Sequence, residues 1–429
     1  MLCDAPQYQT GFARVASNLG KRWHPFFDAI DVWAIGHSGY PHELEWVRGM
    51  YPGGSGETWN SAEKLQQFLN LMMQRERKYT HVWMLQDHFM LSHSDFPTAV
   101  RDACNHIGMK SFMYVPVDAA VERHWMDIVN SVNRAVAYTE YGRDQIIQAL
   151  DGTSVMGPKP YPIATMPVIP HGTDPSIYRP MDGTEEIRRR VFRDWAKPED
   201  FVMICVSVNQ RRKAHQHVMQ VAAELKKLNL PRKVKLVMHM ATANDLELFD
   251  LRPVGRQLGL TEGIDYITSD DYFKRGHAIL TENNLAELYN ASDLLVSGTL
   301  GEGWGLSITE AMLCGLDVAV PAHTAIWEIL DNARRMGVSQ DKMAKLPLST
   351  TCVVNMMDNS RVRYPIDPIQ SAALIAERVK AAPERLGERE KVAPPAEFLD
   401  WLNWNRISKQ WLKVFGISDD EIRDRYQDL

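Results

Sequence analysis

The chain has little cysteine, and the cysteines it has form no pattern. Cys3, Cys104, Cys205, Cys314 and Cys352 are odd in number and far apart, with no CxxC spacing. This argues against a disulfide framework or a zinc site and fits a reducing cytosol. The sequence shows no signal-peptide pattern and no apolar run long enough to cross a bilayer, so a cytoplasmic protein is expected. Charge of neither sign dominates. A net of −6 over 429 residues, with pI near 6.2, gives no global basic footprint of a dedicated nucleic-acid binder. Several signatures are missing as well. No GxGxxG opens a helix after the first strand, which argues against a dinucleotide dehydrogenase, and the absence of GxxxxGK[ST] excludes a P-loop kinase. There is no GxSxG, no DxD pair of metal-binding carboxylates and no short solenoid repeat. Even the start is sparse: MLCDAPQYQTGF leaves two or three residues for a first strand, which is either very short or partly missing.

The chain is otherwise ordinary for a soluble globular protein, at 45% hydrophobic and 24% charged, and its length predicts two or three domains. Helix-like and strand-like segments alternate. GFARVASNLGKRW reads as a first helix and AIDVWAIG as a buried strand. PGGSGETW, from Pro52 to Trp59, reads as a loop, and SAEKLQQFLNLMMQRERK as an amphipathic helix opened by Ser61. THVWMLQD, KSFMYVPVD and RAVAYTE are further short strands. After a Pro- and Gly-rich break near IPHGTDPSIYRPMDG, the strands FVMICVSVN, KVKLVMHM, IDYITS, DLLVSG and DVAVPA repeat the theme between helices such as HQHVMQVAAELKKL. This alternation predicts an α/β protein with parallel sheets. The tail EFLDWLNWNRISKQWLKVFG places Trp401, Trp404 and Trp411 at helical spacing, which reads as one buried helix face.

The stretch that carries most chemistry is GTLGEGWGLSITEAMLCG, Gly298 to Gly315. Gly301, Gly303 and Gly305 let backbone approach a ligand closely. Ser307 reads as the N-cap of the helix that follows, and a helix N-terminus beside bare amides suits a diphosphate. Glu302 and Glu310 can accept hydrogen bonds from the hydroxyls of a sugar and a ribose. A second reading stays open, in which Ser307 and Glu310 form a capping box and Glu310 only closes its own helix.

This stretch resembles the E-x7-E signature of retaining glycosyltransferases of family 4. That signature reads roughly EGFGLPxxEAMACGxPV, against EGWGLSITEAMLCGLDV here. VIPHGTDPSIYRP (Val168 to Pro180) resembles the segment that ends the first domain of that family. VSVNQRRKA (Val206 to Ala214) resembles its phosphate clamp, and NLAELYNASDLLV (Asn284 to Val296) the lead-in to the signature. The strong match covers about Val168 to Leu330. The resemblance implies a GT-B fold, two Rossmann-like parallel-sheet domains facing across a cleft. It divides the chain into residues 1–175 as acceptor domain, 176–395 as nucleotide-sugar domain, and 396–429 as helices crossing back to the first. It implies sugar transfer with retention of configuration and without metal, from a UDP- or GDP-sugar as co-substrate and with no other cofactor.

The same resemblance assigns residues. Glu302 holds donor-sugar hydroxyls and Glu310 the ribose. Gly303, Trp304, Gly305 and Leu306 line the donor. Lys213 with Arg212 or Arg211 neutralises the diphosphate, because arginine stands in that family where this chain has Val208. Thr10 and Gly11 open the first helix, where backbone approaches the donor, although Thr10 also reads as an ordinary N-cap. Asp118, Asp87 and His88 fall at strand ends, where open α/β sheets bind ligands. Asp118 stands near a position where the family often has a sugar-contacting histidine, while His171 reads as structural. Residues 1–170 hold 14 Lys plus Arg against 17 Asp plus Glu. The best amphipathic candidate, Ser61 to Lys78, has a positive cluster only at its end, in Arg75, Arg77 and Lys78, too few charges for firm docking on anionic lipid. A soluble acceptor is therefore expected: a glycan, metabolite, protein or nucleic-acid base. A lipid-linked acceptor, a polymer synthase or phosphorylase on the same fold, and an inactive nucleotide-sugar binding module are the alternatives.

Overall fold

The computed structural model describes residues 1–8, 10–55, 61–74, 78–151, 166–240, 250–269, 281–355, 361–384, 386–389 and 391–426. The chain forms two compact units: Met1–Gly172 together with Leu402–Leu429, and Thr173–Trp401. The terminal division thus falls after Trp401 rather than before residue 396, and the helix Ala396–Trp401 belongs to the second unit.

The first unit is built on six strands: β1 (Leu2–Asp4), β2 (Asp31–Ile35), β3 (Gly49–Pro52), β4 (His81–Leu85), β5 (Lys110–Val115) and β6 (Arg134–Ala137). They pair in parallel in the order β3-β2-β1-β4-β5-β6. The second unit has β7 (Phe201–Val206), β8 (Val234–His239), β9 (Tyr266–Thr268), β10 (Leu294–Val296), β11 (Asp317–Pro321) and β12 (Met343–Leu346), also parallel, in the order β12-β11-β10-β7-β8-β9. Counted from its own first strand, each sheet has the doubly wound order 3-2-1-4-5-6. In such a sheet the chain reverses direction of winding between the first and fourth strands, and the crevice beyond their carboxyl ends is where ligands bind.

The strands form where the sequence runs apolar without alternation. DVWAI of β2 is buried along its whole length, and FVMICV of β7 is buried at every position except Val206, as a sheet covered on both faces requires. β1 is only three residues long, but its ladder is extended at both ends. Trp33 N–H donates to the Met1 carbonyl at 2.7 Å, and Ala5 N–H to that of Ile35 at 2.8 Å. The first helix spans Gly11–Trp23, with Thr10 as N-cap accepting from Ala13 N–H at 3.1 Å. The helix opened by Ser61 ends at Met72, so it does not reach Lys78. Arg75 and Arg77, like residues 56–60 of the glycine-rich loop, lie outside the described residues.

The tail differs from the single helix expected. Asn403 caps a new helix, Trp404–Phe415, and Trp401 ends the one before it. Trp404 and Trp411 are buried in the first unit. Trp411 meets Trp23, Trp83 and Tyr114 at ring-centroid distances of 5.8, 5.9 and 5.0 Å. Trp401 instead packs on Trp304 in the second unit, at 5.4 Å.

Candidate active site

In the second unit, the carboxyl ends of β7 and β10 flank the switch point of the sheet. β7 runs into a short turn, Arg211–Lys213, and β10 into the glycine-rich segment 298–305. The two meet on Glu302. Its carboxylate accepts from Lys213 Nζ at 2.5 Å and from Arg212 Nη1 at 3.3 Å, and the same Arg212 nitrogen donates to the Gly301 carbonyl. The three side chains are 13%, 14% and 24% exposed for Glu302, Lys213 and Arg212, so the cluster sits in a surface recess and not in the core. Burial pushes the Glu302 carboxyl up, but Lys213 and Arg212 outweigh it and hold the group ionised below its ordinary range. Arg211 is exposed and Val208 is 49% exposed. Arg212 is thus the arginine that stands beside Lys213.

The backbone around Glu302 is braced from β11. Its N–H donates to the hydroxyl of Thr324 at 3.0 Å, and its carbonyl accepts from Ala325 N–H at 3.3 Å. Thr324 takes a positive φ of 50°, a strained conformation for a β-branched residue. Nothing in PAHTAIWE signals this, and sequence reasoning missed the residue. At Gly298 the chain passes so near the helix His215–Lys227 that a Cβ would lie 3.0 Å from the Ala214 carbonyl.

The helix Leu306–Leu313 corrects one expectation. Its N-cap is Gly305, at φ 106°, with no side-chain cap bond. Only glycine takes that angle easily. Ser307 therefore lies inside the first turn and the capping-box reading falls. Glu310 is buried, and its carboxylate accepts from the Tyr289 hydroxyl at 2.9 Å. The first amides of the helix, at Leu306 and Ser307, have no partner within it, as at any helix start. Gly303 is half-buried in the turn, and Trp304 is buried against Trp401.

In the first unit, the switch point lies between β1 and β4. Asp4, the last residue of β1, accepts from the Thr10 hydroxyl at 2.6 Å and from Gln86 Nε2 at 3.2 Å. Burial raises its carboxyl, and the bonds from Thr10 and Gln86 offset only part of that rise. Gly11 is exposed at the start of the first helix. Asp87 and His88 follow β4. His88 is buried, and its Nδ1 donates to the Pro116 carbonyl at 3.0 Å. Asp118 lies three residues beyond β5, half-buried in a bend. His171 is buried beside Tyr114, 2.9 Å from its hydroxyl, and desolvation pushes it down to about 3. Asp4 was not singled out because the opening residues left only two or three for a first strand.

A cavity of about 930 Å³ opens at the amino ends of β10, β11 and β12, lined by Asp293, Asp317, Lys342, Arg378, Arg389 and Lys391. Its charges answer one another. Asp317 pairs with Lys342 at 3.2 Å and with Arg378 at 3.1 Å, Asp293 pairs with Arg389, and Lys391 donates to the carbonyls of Tyr289 and Ser292. Among the described residues no three His, Cys, Asp or Glu side chains are grouped to hold a metal ion, and no helix is long and apolar enough to cross a membrane.

No protein-family model and no curated protein matches the chain by sequence. Solved structures match it along nearly its whole length. Sucrose-phosphate synthase from Thermosynechococcus elongatus superposes with a TM-score of 0.67 at 14% identity, over 97% of this chain and 98% of its own. HepE from Anabaena, in complex with UDP-glucose, gives 0.62 at 13% identity, over 97% and 98%. A UDP-forming α,α-trehalose-phosphate synthase from Burkholderia xenovorans, in complex with glucose-6-phosphate, gives 0.53 at 12% identity, over 83% and 76%. The architecture is the α/β GT-B fold, with two Rossmann-like parallel sheets.

Proposed function

We propose that the protein is a glycosyltransferase that moves a sugar from a nucleotide diphosphate-sugar to a soluble acceptor, with retention of configuration and without metal. The observation that carries this reading is the convergence of Lys213 and Arg212 on Glu302 at the switch point of the second sheet, beside the glycine-rich turn. The unit Thr173–Trp401 serves as the donor domain, and Met1–Gly172, completed by Leu402–Leu429, as the acceptor domain. The diphosphate lies against Lys213, Arg212 and the first amides of the helix Leu306–Leu313. Glu302 takes donor-sugar hydroxyls and Glu310 the ribose. Thr10 and Gly11, with Asp87, His88 and Asp118, face the transferred sugar and the acceptor. UDP is the first nucleotide to test, since UDP or a UDP-sugar is named for two of the matched structures.

The chemistry needs no protein nucleophile. As the bond from the anomeric carbon to the phosphate oxygen breaks, the acceptor hydroxyl forms its bond on the same face. Its proton passes to the departing phosphate oxygen. Charge grows on the diphosphate, and Lys213 and Arg212 are worth most at that moment. The test is a calorimetric titration with UDP and GDP, then a donor-hydrolysis assay without acceptor. A pure binding module releases no free nucleotide. Product NMR reads the anomeric configuration and an EDTA arm reads the metal. Inversion, or loss of the rate in EDTA, overturns that part of the reading.

A further inference from the structure

The cavity at the amino ends of β10, β11 and β12 lies on the edge of the second sheet opposite the one that carries Glu302, because these strands run parallel. Neither Glu302 nor the turn Arg211–Lys213 lines it. Its volume of about 930 Å³ is that of a small-molecule site. Leu316, Met343 and Leu374 give it an apolar wall. The segment that brings Lys391 to the cavity is fixed where it passes Gly315. That residue takes a φ of 68°, and a Cβ there would lie 2.7 Å from the Val392 carbonyl.

The ion pairs of this cavity leave a surplus of positive charge. Asp293 is 1% exposed and answers two cations, Arg188 at 2.6 Å and Arg389. Asp317 answers two more, Lys342 and Arg378. Lys391 has no carboxylate within ion-pair distance among the described residues. Its Nζ donates to the carbonyls of Tyr289 and Ser292 at 2.8 and 2.7 Å, which takes two of the three hydrogens of an ammonium. Five cations thus share two carboxylates. The other carboxylates of the lining, Asp341, Glu377 and Glu388, are exposed, as is Lys345. The surplus shows in the ionisation of the inner groups. Burial, then the charges of Arg188 and Arg232, push Arg389 down to about 9. Burial pushes Lys391 down to about 7, and the charges that face it are Cys314, Arg188, Asp317 and Arg389. Cys314, pushed up to about 12, stays a neutral thiol, and Asp317 is committed to its own two cations. A bound anion would supply the missing negative charge.

We propose that this cavity is a second ligand site, separate from the donor site, and that it takes a phosphate monoester, with the phosphate toward Lys391, Arg378 and Arg389 and the organic body along the apolar wall. A phosphate dianion matches the surplus, and its oxygens suit both the fork of an arginine and the point charge of a lysine. A bare phosphate is far smaller than the cavity and would leave the apolar wall uncovered.

The experiment is a calorimetric titration of the full chain with phenyl phosphate and with ribose 5-phosphate, and with phenol as the uncharged control. The expected result is saturable binding of at least one ester and none of phenol. Lys391→Gln keeps a donor for the two carbonyls. Lys342→Gln changes a side chain that is 37% exposed and leaves Arg378 on Asp317, so it tests the site even where the first variant fails to fold. Each should weaken the ester by about tenfold, the loss of one charge-assisted contact. Above pH 7 Lys391 must gain a proton to meet the anion, so affinity in the parent should fall by about tenfold between pH 7 and pH 9, and less steeply in Lys391→Gln. Lys213→Ala should bind the ester as the parent does. Failure of both esters to bind overturns the inference, as does an affinity unchanged in both cavity variants. Binding lost in Lys213→Ala but kept in the cavity variants would assign the ester to the basic turn and overturn it equally.

Discussion

Replacing Glu302 by glutamine keeps the side chain's size and an acceptor oxygen, but removes the negative charge that Lys213 and Arg212 share. Breaking a fully buried ion pair by removing one partner costs about 3–5 kcal/mol. Here both cations are partly exposed, at 14% and 24%, and can turn toward water, so about 2 kcal/mol is the better figure. For a unit of this size that lowers Tm by roughly 4–8 °C. The effect on ligand binding has the opposite sign. In the free protein the cations are occupied by Glu302, and a diphosphate must compete with it. Removing that carboxylate should tighten UDP or GDP binding by about tenfold, roughly 1.4 kcal/mol, a modest share of one charge–charge interaction in a half-buried recess. Turnover should fall by about 10- to 100-fold, because a hydrogen bond to a charged acceptor, worth about 1.5–3 kcal/mol, is lost from the donor sugar. Calorimetry with the nucleotide, a melting curve and initial rates on one preparation read all three. A variant that binds the nucleotide more weakly than the parent would refute the competition argument, and one with unchanged turnover would refute the sugar contact.

Arg212→Ala should lower kcat/KM by about tenfold or more, while Arg211→Ala, at an exposed position, stays within about twofold; a reversed order would move the clamp to Arg211. Glu310→Ala should weaken nucleotide affinity by roughly 1–3 kcal/mol, and it also strands the Tyr289 hydroxyl; a lowered Tm with unchanged affinity would remove the ribose role. Acid should destabilise the fold through histidines buried as neutral rings. His171 and His215 are pushed down to about 3 and His239 to about 4. The unfolded chain binds these protons near pH 6.5 and the folded one does not, so stability is full above that pH and is lost as pH falls from 6.5 toward 4. At pH 5 the loss is about 2 kcal/mol per histidine. A pH series of melting curves on the parent and on His215→Gln checks this, and an equal slope in both would contradict it.

Much of the architecture was legible because parallel strands covered on both faces must be apolar throughout, and runs such as FVMICV and HVWML can be little else. β3 and β12 were not legible: GMYP and MAKL are short and partly polar, and only their neighbours in the sheet make them strands. In the candidate site, the spacing of Glu302 and the basic turn was enough to pick out side chains that the structure brings together. The site was misread at the start of the helix Leu306–Leu313, where serine's preference for caps lost to a glycine that alone tolerates the angle required. Tyr289 as partner of Glu310 and Thr324 as brace of Glu302 come from elements remote in sequence. Only the order of strands in each sheet brings them to their places.

The first unit is discontinuous along the chain: the helix Trp404–Phe415 supplies Trp411 to a cluster whose other rings, Trp23, Trp83 and Tyr114, are translated near the beginning. On the ribosome those rings wait for that helix while the whole of the second unit emerges and can fold. At roughly 5–20 residues per second that delay is tens of seconds. The unit made first is thus the one completed last, with an aromatic face open in the interval. A nascent chain stalled before residue 402 would hold a finished second sheet while that face stays open, so a premature stop there leaves the first unit incomplete.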